Sequence, residues 1–324
     1  MCSLGERKRK ARRELSGVRF YALRRGLEGC AIIQIEANAK INLTLDILGV
    51  RPDGYHEVEM VMQSVRLFDT IRFEKRSSGI DLQMDAPELP ADETNLAWKA
   101  ARLFLDVYKI QAGVSIEIEK RIPIAAGLAG GSADAAGVLI GMNRLFETGC
   151  SVEELCALGE QLGSDVPFCI EGGTMLATGR GEVLRRLPDI PALWVVLAKP
   201  PISVSTAWAY KTYDQVGAAR RPDTQAMLAA LAARSAEKIA DSLANVLEEA
   251  TMSAHAVVGD YKRTLSDSGA MASLMSGSGP TVFALAKTRA DAERAAAAVS
   301  VLDAGASVFV VSTSGQNHIY IDSD

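Results

Sequence analysis

No apolar run in the 324-residue chain approaches the ~20 residues that a membrane-crossing helix needs, so a bilayer-spanning segment is not expected. The five cysteines, at positions 2, 30, 150, 156 and 169, form no C-x-x-C pair and no zinc spacing with the three histidines. Reduced thiols in a cytoplasmic protein are the simplest account. Basic charge is scarce beyond the N terminus. The first 25 residues hold nine Lys/Arg against two Glu, which leaves 26 Lys/Arg and 38 Asp/Glu for the remainder. An acidic body argues against nucleic acid as a main partner. The basic start, "RKRKARRELSGVRFYALRR", lacks the apolar core of a secretory signal and is poor in Ser for an organelle transit peptide. Residues 1–30 are therefore expected to be a disordered extension with no part in the fold. The rest, at 48% hydrophobic and 23% charged residues overall, reads as a soluble globular protein with room for one large or two ordinary domains.

Small residues are abundant in one place. "IPIAAGLAGGSADAAGVLIGMNRL" (122–145) follows "VSIEIEK" (114–120), whose alternation marks a half-buried strand. Ala135, Val138, Leu139, Met142 and Leu145 then recur at helical spacing. A strand thus leads through a glycine-rich turn into a helix that Ser132 or Asp134 can cap. Gly127, Gly130 and Gly131 are the positions expected to take positive φ, and free amides at the helix start favour a phosphate. The plainer alternative is a crossover turn kept small for helix–sheet packing. The glycines are not followed by GK[ST] and do not read G-x-G-x-x-G, which excludes a Walker loop and makes a dinucleotide-binding domain unlikely.

Three further stretches can carry chemistry. "IEANAKINLTLDI" (35–47) alternates without a break, placing Lys40 and Asn42 on one polar strand face, which is usually the solvated one. "RPDGYH" (51–56) is a reverse turn that delivers Tyr55 and His56, suited to stacking on and hydrogen-bonding a planar ligand, or to ordinary loop packing. In "SVEELCALGEQLGSDVPFC" a Ser151–Glu154 capping box opens a helix that Gly163 should end, with Pro167 preventing continuation. Asp165 then sits in a rigid turn, as a cap or as something more. Finally "SLMSGSGPTVFAL" (273–285) is a second glycine-rich turn, at Gly277 and Gly279, leading into a strand; a helix and a strand follow.

In this order, "AKINL", "RPDGYH", "PIAAGLAGGSADAA", "LGSDVP" and "GSG" make the chain resemble the GHMP small-molecule kinases from about residue 33 to the C terminus, only loosely between 214 and 265. The resemblance implies an α+β, two-domain fold: an N-terminal mixed α/β ATP-binding domain over 31–175, a C-terminal α+β substrate domain over 176–324, and an active site in the cleft between them. It implies that ATP phosphates are wrapped by Pro123, Ile124, Ala125, Ala126, Gly127, Leu128, Ala129, Gly130, Gly131, Ser132 and Ala133, with Asn95 and Lys120 near the nucleoside. Mg²⁺ is expected with the ATP, Ser132 being a candidate ligand. Asp165 becomes the catalytic base with Lys40 as its partner. The "DGYH" turn points to the branch whose small-molecule substrate carries a cytidine diphosphate group. There Tyr55 and Tyr210 would flank the cytosine, His56 would bond its edge, and Asn42, Gly277 and Gly279 would approach the substrate. Homoserine- or mevalonate-type kinases of the same family, and a non-catalytic nucleotide-binding module, are the alternatives. The presence of both Lys40 and Asp165 opposes the last.

Overall fold

The computed structural model describes residues 21–23 and 32–315. Strand β1 (Tyr21–Leu23) lies antiparallel to the start of β2 (Ile32–Val50). These three residues belong to the stretch expected to stay out of the fold; the remainder of that stretch lies outside the described residues. A turn leads from β2 into β3 (His56–Arg76), followed by β4 (Ile80–Met84), α1 (Leu96–Val107), β5 (Gly113–Glu119), α2 (Gly130–Phe146), α3 (Val152–Glu160), α4 (Val166–Glu171), β6 (Thr174–Thr178) and β7 (Val183–Arg186). β3 is the centre of this first sheet and pairs antiparallel with β2, β5 and β6. β4 lies parallel to β5, and β7 closes a hairpin with β6.

A second sheet begins with β8 (Trp194–Lys199). After it come α5 (Thr206–Val216), α6 (Thr224–Ala232), α7 (Ala236–Asp241), β9 (Ala244–Asn245), α8 (Leu247–Ala254), α9 (Ala256–Asp267), β10 (Ala272–Met275), β11 (Val282–Ala286), α10 (Arg289–Leu302) and β12 (Ser307–Ser312). Its strands run β10-β11-β8-β12, all neighbours antiparallel, while β9 pairs parallel with β2 of the first sheet. Sheet membership therefore changes between β7 and β8, later than the expected division at 175/176. The register of β6 on β3, Met60 opposite Ala177, keeps that hairpin with the first sheet.

The alternation of β2 is present, but both of its faces are buried. Ile35, Ala39, Ile41 and Leu43 face the core, and the opposite face, Asn38, Lys40, Asn42, Thr44 and Asp46, is almost as inaccessible. The expectation of a solvated polar face fails because the second half of the chain and the loop before α2 cover it. Pairing irregularities at Asn38/Ala39 and Asn42/Thr44 bracket the Lys40–Asn42 step, and such bulges re-aim side chains locally.

Helix α2 packs on the apolar side. A Cβ on Gly137 would lie 2.6 Å from Ile71 Cδ1, and one on Gly141 would lie 2.3 Å from the Phe73 ring. These two glycines, one turn apart, let the helix settle against the sheet. Nearly all of the helix from Ala133 to Asn143 is buried, not only the apolar stripe. Substituting Gly141→Val is expected to cost about 1–3 kcal/mol by overpacking, read as a lower urea midpoint at unchanged m-value; an unchanged midpoint would show that Phe73 yields freely.

Candidate active site

A cavity of about 1010 Å³ lies between the two sheets. β2 contributes Lys40 and Asn42, the β2–β3 turn Tyr55, the first residue of β3 His56, and the loop before α2 Pro123–Gly127 and Ala129. The start of α2 adds Gly130, Gly131 and Ser132, α5 adds Tyr210, and the β10–β11 loop adds Gly277. Asn95, Lys120 and Asp165 also line it. Three expected contacts do not. Leu128 and Ala133 are core residues at 1% and 0% exposure. Gly279 stands behind Met275, whose Sδ would be 2.5 Å from a Cβ there.

The loop is shaped differently from the sequence expectation. Positive φ occurs at Ala125 (49°), Gly127 (74°) and Ala129 (59°), whereas Gly130 and Gly131 already belong to α2. Alternating left-handed residues curl successive amides into an anion-binding concavity. Two alanines accept a conformation that costs an L-residue roughly 1–2 kcal/mol, so packing on both sides must hold them. Part of that packing is visible at Gly127. A Cβ there would stand 2.1 Å from the Ser276 carbonyl oxygen, and Ser276 Oγ donates to the Gly127 carbonyl at 2.9 Å. The loop before α2 and the β10–β11 loop thus touch backbone to backbone.

Neither Ser132 nor Asp134 caps α2. The helix starts earlier, from Ala129, and has no side-chain cap. Its first amides therefore remain free for a ligand, and a 17-residue helix directs its positive end at the cavity.

Asp134 serves another purpose. Lys120 Nζ donates to Asp69 at 2.5 Å and to Asp134 Oδ2 at 2.6 Å, with all three side chains under 10% exposed. Asp69 also accepts from the backbone amides of Arg121 and Ile122, at 2.5 and 2.8 Å, and so fixes the chain entering the loop. Burial lowers the pKa of the Lys120 ammonium, but the two carboxylates more than compensate and leave it above its ordinary value. One ammonium cannot balance two carboxylates. Burial, with Asp69 nearby and Oδ1 unbonded, pushes Asp134 up to about 8 in spite of Lys120. Asp69 and Asp134 in this role were missed from sequence, since nothing in their spacing announces a shared lysine. Asn95, expected near the nucleoside, caps α1: its side chain accepts from Ala97 N and donates to the Pro90 carbonyl.

At the opposite wall, Lys40 Nζ donates to Asn42 Oδ1 at 2.7 Å and stands 3.7 Å from Asp165 Oδ2. α3 ends at Glu160, short of Gly163, and Pro167 opens α4 rather than blocking a helix, as suits its missing N–H. Asp165 occupies the cap position of α4, yet its carboxylate makes no capping bond. It remains about one-third exposed, facing the cavity and the lysine.

The far end is aromatic and charged. Tyr55 is exposed, with the Arg180 guanidinium 5.3 Å from its ring centre. His56 Nε2 lies 2.9 Å from Asp214 Oδ1, and its ring is 4.9 Å from that of Tyr210. Burial, and then the charge of Asp165, raise the Tyr210 phenol, which keeps it neutral. Arg180 and Asp214 lie outside the sequence motifs. α5 is held at both ends: Thr206 Oγ1 is 3.1 Å from Ser278 Oγ, and past its C terminus Arg221 forks onto Asp46 at 2.8–3.3 Å.

Comparison with known proteins gives the class. The family model for the GHMP kinases N terminal domain matches residues 95–173, and that for the GHMP kinases C terminal domain matches 227–301. The chain belongs to the GHMP kinases, and it is an ATP-dependent small-molecule kinase. Within that family it is similar to proteins named 4-diphosphocytidyl-2-C-methyl-D-erythritol kinase. It is 49% identical to the one from Acetivibrio thermocellus, over 78% of this chain and 89% of that protein, and 50% identical to the one from Synechococcus sp. (strain JA-3-3Ab), over 84% and 89%. A crystal structure of 4-(cytidine 5'-diphospho)-2C-methyl-D-erythritol kinase superposes with a TM-score of 0.74 at 33% identity, covering 87% of this chain and 99% of that one.

The buried charge cluster makes a stability prediction. Folded Asp134 holds its proton up to about pH 8, well above the ordinary carboxylate range. Across that window the folded state binds more protons than the unfolded state, so this residue's contribution to stability falls as pH rises. Asp134→Asn removes the titration. Its stability relative to wild type should grow between pH 4 and pH 8 in urea unfolding, and a difference independent of pH would contradict the assignment.

Proposed function

We propose that this kinase transfers the γ-phosphoryl of ATP to the 2-hydroxyl of 4-diphosphocytidyl-2-C-methyl-D-erythritol, a step of non-mevalonate isoprenoid precursor synthesis. The observation that carries the reading is Asp165, a carboxylate free of capping duty, 3.7 Å from a buried lysine in a cavity that also contains an uncapped helix start. The names of the curated relatives supply the substrate.

An alkyl hydroxyl is a poor nucleophile until its proton has somewhere to go. Asp165 accepts that proton as the bond to phosphorus forms, and in a loose transition state the transfer is late. Lys40, aimed by Asn42, stands beside Asp165 and offsets charge on the attacking oxygen and the transferring group. The amides of the loop over Pro123–Ala129 and of the first turn of α2 hold the phosphates. Among the described residues no group of three or more His, Cys, Asp or Glu is arranged for a metal. Mg²⁺ usually binds through one or two protein ligands plus substrate phosphates. Ser132, on the first turn of α2, is the residue that would reach it, and the ion would neutralise phosphate charge. Tyr55 and Tyr210 offer aromatic surfaces to the cytosine, and their positions on the β2–β3 turn and α5 make the base pocket bridge the two halves.

Asp165→Asn should lower kcat by ~10²–10⁴-fold while the protein stays folded, and Lys40→Met should act in the same direction. Near-normal kcat in either variant, measured by coupled ADP release, removes that residue from the mechanism.

The same assay with the diphosphocytidyl alcohol beside homoserine, mevalonate and free methylerythritol tests the substrate. Tyr210→Ala should raise KM for the cytidine compound about 5- to 150-fold, from the loss of one stacking face, with little change in KM for ATP. Equal kcat/KM for free methylerythritol and the full substrate would instead indicate a general polyol kinase.

A further inference from the structure

The aromatic end of the cavity contains a polar pair of which only His56 belongs to a sequence motif. His56 opens β3, and Asp214 lies on α5, one helical turn beyond Tyr210. Asp214 Oδ1 stands 2.9 Å from His56 Nε2, and the imidazole leans on the Tyr210 ring at 4.9 Å and 42°. All three residues line the cavity with Tyr55.

A carboxylate oxygen can only accept, so the proton between this pair sits on Nε2. In the neutral form of the ring the lone pair then lies on Nδ1, for which there is no partner among the described residues. We propose that Asp214 is a positioning residue that locks His56 in the Nε2–H tautomer, so that Nδ1 offers an acceptor to the base and the site selects an amino-bearing pyrimidine over a carbonyl-bearing one. The inference rests on the cytidine reading above and extends it from which ring is bound to how that ring is told from its nearest relative.

Stacking cannot make the distinction. Cytosine and uracil have the same size and similar faces, and they differ where cytosine presents an N–H donor and uracil a carbonyl acceptor. An acceptor at Nδ1 completes a hydrogen bond with the first and confronts a second acceptor in the other case, which leaves both atoms desolvated and unpaired. Were the imidazole free to change tautomer, Nδ1–H would serve the carbonyl equally well. The carboxylate on α5 removes that freedom, and it acts through the histidine without touching the base.

Two measurements on the full chain test this. Imidazole ¹⁵N NMR of the wild type should show His56 protonated at Nε2 and bare at Nδ1, and Asp214→Ala should lose that bias. A wild-type proton on Nδ1 overturns the proposal. Next, kcat/KM is compared for diphosphocytidyl methylerythritol and its diphosphouridyl counterpart. The wild type should favour cytidine on the order of 10- to 100-fold, as one buried unpaired group demands. Asp214→Ala should narrow the preference to about threefold, through KM for the cytidine compound rather than through kcat or KM for ATP, as loss of ground-state recognition implies. Asp214→Asn, whose amide can face Nε2 with either its oxygen or its N–H, should fall between. If Asp214→Ala retains the full base preference, this inference fails and the cytidine reading stands. If the wild type does not phosphorylate the cytidine compound at all, both fail.

Discussion

An ammonium and an amide placed two residues apart on a central strand lose their water once that face of the sheet is covered. Lys40 and Asn42 are 4% and 0% exposed, and each satisfies part of the other's need through a 2.7 Å hydrogen bond. Burial without a partner would cost several kcal/mol for the charge. The fold meets this by delivering Asp165 at the start of α4, by leaving the cavity open beside it, and by bringing the loop before α2 over the strand, where the Leu128 carbonyl accepts from the Lys40 amide at 3.2 Å. Asp165 is therefore also part of the electrostatic balance of β2. Its position follows from a requirement that exists before any substrate arrives.

The small residues between 122 and 145 answer to two separate demands. Gly137 and Gly141 serve packing, because Ile71 and Phe73 occupy the space their side chains would need. Ala125, Gly127 and Ala129 serve backbone shape, turning amides toward the cavity. Between the two groups stands the Lys120–Asp69–Asp134 cluster, which ties β3, the entry to the loop and the first turns of α2 together. Left-handed alanines are tolerable where their neighbours are held this firmly.

Much of this was legible in the sequence, for identifiable reasons. The alternation of β2 and β5, the helical spacing of α2 and the capping box of α3 are short-range signals, and short-range energetics decide those elements. The failures share a different character. The positive φ values were assigned to Gly130 and Gly131 by residue type, but loop packing placed two of them at alanines. Ser132 and Asp134 suit a cap by their chemistry, but the helix begins one turn earlier, and Asp134 answers to a lysine 14 residues away. Asp214 lies 158 residues from the histidine it meets, and no local pattern encodes that encounter. The burial of the polar face of β2 likewise depends on the second half of the chain.

α5 carries Tyr210 and Asp214 on one face and is moored at its first residue by Ser278 and beyond its last turn by Asp46. An α-helix advances 100° per residue. Inserting or deleting a single residue between the first mooring and Tyr210 would swing both side chains away from the cavity together, while the helix itself remained intact. The placement of these two side chains at the cavity is thus written into a count of residues as much as into their identities. Along this helix, drift in length is the more severe change, and exchange of side chains the gentler one.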